Sequence, residues 1–106
     1  DPMHLFRSGG TAAELGGTDP ARIFYGQVCD LPMVSTYADF SEEARFERGA
    51  PGEGEFPLVD FVRALPKDVT IGLEAPMRAK TLAGVSPEDR LRPALAKCRE
   101  PLAQAG

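Results

Sequence analysis

The sequence predicts an α/β protein made of successive strand–helix units, and three observations lead there. Short β-branched or alternating stretches trade places along the chain with stretches whose apolar residues recur at helical spacing. The middle strand candidate, Ile23 to Cys29, is largely apolar on both faces, with Ile23, Tyr25, Gln27 and Cys29 on one and Phe24, Gly26 and Val28 on the other. That pattern suits a parallel sheet covered on both sides. Lastly, three segments in succession end in ligand-type side chains: Asp1 and His4, Gln27 and Asp30, and Glu74. Polar groups delivered by consecutive strand ends describe a site at one rim of such a sheet.

Taken in order, Asp1 to Arg7 reads as the C-terminal end of a strand running into a loop, broken at Gly9-Gly10. Thr11-Ala12-Ala13-Glu14 is a capping box that starts a short helix ending at Gly16-Gly17. Asp19-Pro20 caps one more turn before the Ile23–Cys29 strand. Asp30 to Gly54 is long and irregular, with one helical turn at most at Ser41–Arg45 and a glycine-rich turn at Arg48-Gly49-Ala50-Pro51-Gly52-Glu53-Gly54. Loops of this length are lids or binding loops more often than plain connections. Pro57 opens a helix with Leu58, Phe61, Val62 and Leu65 on one face, and Pro66 stops it.

Val69-Thr70-Ile71-Gly72-Leu73-Glu74-Ala75-Pro76 reads as a buried strand closing on a carboxylate. An ionised Glu there is costly unless a cation, a metal or a donor network pairs with it. A loop then runs to Val85, and Ser86-Pro87-Glu88-Asp89 starts the last helix. That helix is predicted to bury Leu91, Leu95, Cys98 and Leu102 and to kink at Pro93.

The chain has 106 residues, enough for one small domain, and a net charge of −4 with a pI near 4.9. Lys and Arg form no stripe and no aromatic platform accompanies them, so a nucleic-acid partner is not expected. No apolar run approaches the roughly 20 residues of a membrane helix. Cys29 and Cys98 share no C-x-x-C spacing and read as small core residues of a reduced, cytoplasmic protein. The chain starts at Asp1 without Met, which reads as a piece cut from something longer.

Four motifs give a resemblance. In their order and spacing, Asp1-Pro2-Met3-His4, Gln27-Val28-Cys29-Asp30, the Arg48–Gly54 turn and Gly72-Leu73-Glu74 resemble the C-terminal part of the sugar phosphate isomerase/epimerase family, the xylose isomerase-like TIM barrels. The resemblance implies that residues 1–106 are the last three or so βα units of a (β/α)₈ barrel whose N-terminal portion is absent. It implies that Asp1, Gln27 and Glu74 are ligands of one divalent metal, with a further Glu on a strand this chain lacks. His4 would contact a substrate oxygen, and Arg48, with Arg45 beside it, a substrate hydroxyl or carboxylate. Many relatives have His where Gln27 stands. An amide oxygen tilts the ion from Zn²⁺ toward Mg²⁺, Mn²⁺ or Co²⁺.

Such a site suits proton removal next to a carbonyl of a carbohydrate or keto acid, with Glu74 as acid/base and Asp30 orienting a ligand. Reprotonation gives isomerisation or epimerisation. Loss of a β-hydroxyl gives dehydration, the lyase alternative of inosose or 3-dehydroshikimate type. A third reading is a non-catalytic fragment or binding module, inactive alone and associating through exposed strand edges. Blander roles stay open beside these: a solvated His4, a rim ion pair at Glu74, a core hydrogen bond at Gln27. Abasic-site endonucleases share the barrel, but Asp30-Leu31-Pro32 lacks their additional D-x-H.

Overall fold

In a computed structural model describing Asp1–Gly106, the chain is an α/β fold whose sheet has two strands. Helix α1 (Pro2–Arg7), helix α2 (Ala12–Gly16) and a 3₁₀ turn (Pro20–Arg22) precede strand β1 (Tyr25–Val28). Helix α3 (Phe40–Glu42) runs into a π-turn (Glu43–Glu47), and helix α4 (Leu58–Arg63) leads to strand β2 (Thr70–Leu73). Helices α5 (Arg78–Leu82) and α6 (Pro87–Ala105) close the chain.

This corrects the predicted three βα units of a TIM barrel. The first predicted strand is a helix, because Asp1 and Pro2 form a helix start. The Asp1 carboxylate accepts from the Met3 N–H at 2.8 Å, and Pro2 stands at the first position, where its missing N–H costs nothing. The two remaining strands pair in parallel, Tyr25 with Thr70 through Val28 with Leu73, and the Glu74 N–H continues the ladder to the Val28 carbonyl at 3.0 Å. Neither strand is covered on both faces. Val28 packs with Phe61, Leu65 and Cys98, while Tyr25 and Thr70 on the opposite face are exposed. The predicted burial of the Val69–Pro76 segment therefore fails, since none of Thr70–Leu73 is fully buried.

Local signals fared better. The Thr11/Glu14 capping box is present with both of its reciprocal hydrogen bonds, and Asp19 accepts from the Ala21 N–H at 3.0 Å. Ser86 caps α6 by accepting from the Asp89 N–H at 3.2 Å. The buried face of α6 is Ala94, Cys98 and Pro101, not the predicted leucine stripe: Leu91, Leu95 and Leu102 are 44%, 49% and 37% exposed. Small side chains let α6 approach the rest of the chain closely, which turns the leucines outward. Helix α5 falls where a loop was predicted, and α3 with its π-turn is longer than the single turn expected.

Candidate functional site

Three segments that are far apart in sequence meet at the carboxyl end of the parallel pair, where α/β sheets carry their ligand sites. At the centre is Arg48, whose side chain is 7% exposed. One nitrogen, Nη1, donates to the Asp1 Oδ2 at 2.7 Å and to the Glu74 Oε2 at 2.8 Å, while Nε donates to the Ala44 carbonyl at 2.7 Å. Asp1 is nearly as buried as Arg48, but the Glu74 side chain is 42% exposed and gives the cluster its open edge. The second Asp1 oxygen caps α1 and lies 3.8 Å from the Cys29 thiol. Burial pushes that thiol's pKa up, and the nearby Arg48 charge only partly offsets it, so Cys29 is a protonated, enclosed neighbour and not a nucleophile.

Each side chain is placed by a local device. Asp1 is fixed as the N-cap of α1. Glu74 follows directly from β2, and the chain after it turns back through Met77, a buried non-glycine residue in the left-handed region (φ 51°). The Met77 N–H donates to the Arg48 carbonyl at 3.2 Å, which ties the exit of β2 to the loop carrying Arg48. Backbone conformations of this kind persist only where the surroundings impose them. On the other side, Asp30 and Gly49 exchange two backbone hydrogen bonds of 3.0 Å.

Asp30 does more than the sequence reading gave it. Its carboxylate is buried and accepts from the N–H groups of Leu31 (2.9 Å), Phe56 (3.0 Å) and Gly52 (2.8 Å). The glycines of the turn serve this arrangement. Gly52 has φ +87°, and a Cβ on Gly54 would collide with the Asp30 carboxylate and the Leu31 backbone. Within the Asp30–Gly54 loop, predicted as a lid or binding loop, the glycine-rich turn is thus a strap bonded to Asp30 at Gly49, Gly52 and, just beyond it, Phe56.

Of the sequence-predicted residues, the structure brings Asp1, Arg48 and Glu74 together and sets Asp30 behind them. Gln27 lies on β1 opposite Gly72, and its side chain forms no hydrogen bond with either carboxylate. His4 is exposed, with its ring 5.7 Å from that of Phe40, and Arg45 points to solvent from the π-turn. Two carboxylates converging on one positive point offer the hard oxygen donors that suit Mg²⁺ or Mn²⁺. The point on which Asp1 and Glu74 converge is taken by the Arg48 guanidinium, and both Asp1 oxygens already accept hydrogen bonds, which leaves Glu74 Oε1 as the unbonded oxygen of the pair. Gln27 stands outside the cluster, and no three His, Cys, Asp or Glu side chains assemble into a metal-holding group.

Sequence reasoning missed the mutual pairing of its own candidates, because it assigned Arg48 to substrate and the carboxylates to metal. The signal was a single Arg in a glycine-rich turn beside strand ends that carry acids. It also missed Glu43, which is 2% exposed and bonded to Arg7 at 2.7 Å; nothing in Ser41-Glu42-Glu43-Ala44-Arg45 marks which glutamate turns inward. An apolar groove of about 300 Å³, lined by Val62, Leu65, Pro66, Val69, Ile71 and Leu102, lies toward the amino end of β2, away from this cluster. No family model and no curated protein matches the chain.

Proposed function

We propose that the chain carries the acid/base part of a metal-dependent isomerase or epimerase site that acts on a small sugar, sugar phosphate or keto acid through an enediolate. The observation that supports this is the convergence of Asp1 and Glu74 on one cationic point at the carboxyl end of a parallel strand pair. Glu74 is the half-open member, so it is the carboxylate able to take a proton from the carbon next to a substrate carbonyl and return it to that carbon or its neighbour. Asp1, buried and doubly bonded, is a holding group. Arg48 supplies a fixed positive charge beside the base, placed to favour an oxyanion as it forms. Glu74, whose Oε1 is free of Arg48, would be this chain's contribution to holding the metal, which when bound polarises the carbonyl and adjacent hydroxyl of the substrate.

The same reading places the protein in the cytoplasm, with no nucleic-acid partner, and has it associating through the open edges of its two strands. No helix is long and apolar enough to cross a membrane. The chain offers two clustered carboxylates where the resemblance implies three and a further donor, so net turnover by the chain alone is not expected. The partial reaction is the readout. A panel of aldoses, ketoses and keto acids is incubated with the protein and Mn²⁺ in D₂O, with and without formate to stand in for a missing carboxylate. Deuterium entering the carbon beside the carbonyl, lost in Glu74→Gln, is the expected result. Absence of exchange across the whole panel, with and without formate, would sink the proposal.

A further inference from the structure

Arg48 cannot hold its place by its ion pairs alone. A guanidinium with little exposure, sharing one nitrogen between two carboxylates, needs its backbone fixed, because a shift of about 1 Å lengthens charge-assisted bonds of this kind beyond useful reach. That backbone is fixed from both sides. Downstream, Asp30 engages the strap by its side chain at Gly52 and Phe56 and by its main chain at Gly49, the residue next to Arg48. Across the cluster, Met77 bonds the Arg48 carbonyl. Asp30 touches none of Asp1, Arg48 or Glu74 by its side chain, so anything it does for them travels through the strap.

We infer that Asp30 is the positioning residue of this site: a buried anion at the exit of β1 that holds the Arg48–Phe56 strap and thereby sets the Arg48 guanidinium between Asp1 and Glu74. The buried carboxylate is stabilised by three N–H donors, one from its neighbour Leu31 and two, Gly52 and Phe56, that only a folded strap supplies. Replacing it by Ala removes the acceptor for all three at once and leaves Gly52 and Phe56 without partners. The strap then moves and Arg48 loses its register, while Arg7, held by Glu43 and by the carbonyls of Pro32 and Met33, keeps its own bonds. The inference rests on the proposed function only where activity is read.

The experiment compares guanidinium N–H signals of Arg48 and Arg7 by NMR in the unaltered protein, in Asp30→Ala and in Asp30→Asn. In the unaltered protein both arginines are expected to show slowed proton exchange. In Asp30→Ala the Arg48 signals are expected to lose roughly tenfold or more of their protection while those of Arg7 keep theirs. Asp30→Asn retains the shape and one carbonyl acceptor, so it should fall between the two and remain folded if the Ala variant does not. Equal loss at both arginines, or no change at Arg48, overturns the inference. In the deuterium-exchange assay, Asp30→Ala combined with Arg48→Met should be no slower than Arg48→Met alone, since both act through one group. Additive losses there overturn it as well. A protein with no exchange activity but the Arg48-selective NMR response would refute the proposed function and leave the positioning role of Asp30 intact.

Discussion

Two arginines have largely enclosed side chains, Arg48 at 7% exposure and Arg7 at 10%, and their surroundings differ in an instructive way. Arg7 is saturated by structure: Nε pairs with Glu43 at 2.7 Å, and its two terminal nitrogens donate to the Met33 and Pro32 carbonyls at 2.7 Å each. Its carboxylate partner is enclosed and also accepts from the Ser35 hydroxyl. Arg48 instead shares one nitrogen between two carboxylates, one of which opens to water. The first arrangement has every group satisfied from within and is a clasp that pins the loop after Leu31 to α1 and the π-turn. The second has an accessible charged edge. Burial of an ion pair alone does not mark a site; an unfinished edge on a buried pair does.

The sharpest way to break this contrast is Glu43→Ala, which leaves Arg7 enclosed without its counter-charge and should cost about 3–5 kcal/mol in urea unfolding. Against a total that for domains is typically about 5–15 kcal/mol, such a loss takes most of the folded population's margin. Arg48→Met comes next, at about 2–3 kcal/mol, because Asp1 is left buried but Glu74 can relax into solvent. Glu74→Gln should cost less than about 1 kcal/mol, as expected for a half-exposed ion pair, while removing the proposed proton exchange. Equal stability losses for Glu43→Ala and Glu74→Gln would erase the distinction between clasp and site.

The smallest effect concerns pH. Burial tends to raise the Glu53 pKa, but the Ala50 N–H, the Lys80 hydrogen bond and the charges of Lys80 and Lys97 outweigh it and hold the carboxyl below its ordinary value of 4.5. A lowered folded pKa means that Glu53 stabilises the fold fully above the ordinary value and loses that contribution as pH falls through the lowered one. Acid titration of thermal stability should thus show a slightly steeper loss below pH 4.5 in the unaltered protein than in Glu53→Gln. Identical profiles would assign the acid response to other carboxylates.

What was legible in the sequence was whatever a few neighbouring residues decide. Thr11 with Glu14, Asp19 with Pro20, and Ser86 with Pro87 announce helix starts that the chain adopts. Asp1-Pro2 is the same kind of announcement, and its capping chemistry overrides the strand-end motif on which the barrel expectation rests. The leucines of α6 failed for a different reason: which stripe of a helix is buried depends on how closely its partner approaches, and Ala94, Cys98 and Pro101 record a close approach that spacing alone does not reveal. At the candidate site, the residue types were readable while their pairing was not. Which acid meets which base depends on the path of a strap that places Arg48 beside Glu74, 26 residues further along the chain.

Met77 extends this point. A side chain at φ 51° costs of order 1 kcal/mol or more relative to an unstrained backbone, yet glycine, the residue that would remove the cost, is not there. Methionine adds a buried contact with Ala50 and Ala94, so the sharp corner after Glu74 is clamped from the inside. A clamped corner has little freedom to swing, and the distance between the Glu74 backbone and the guanidinium it faces becomes a fixed dimension of the molecule, set before any small molecule arrives.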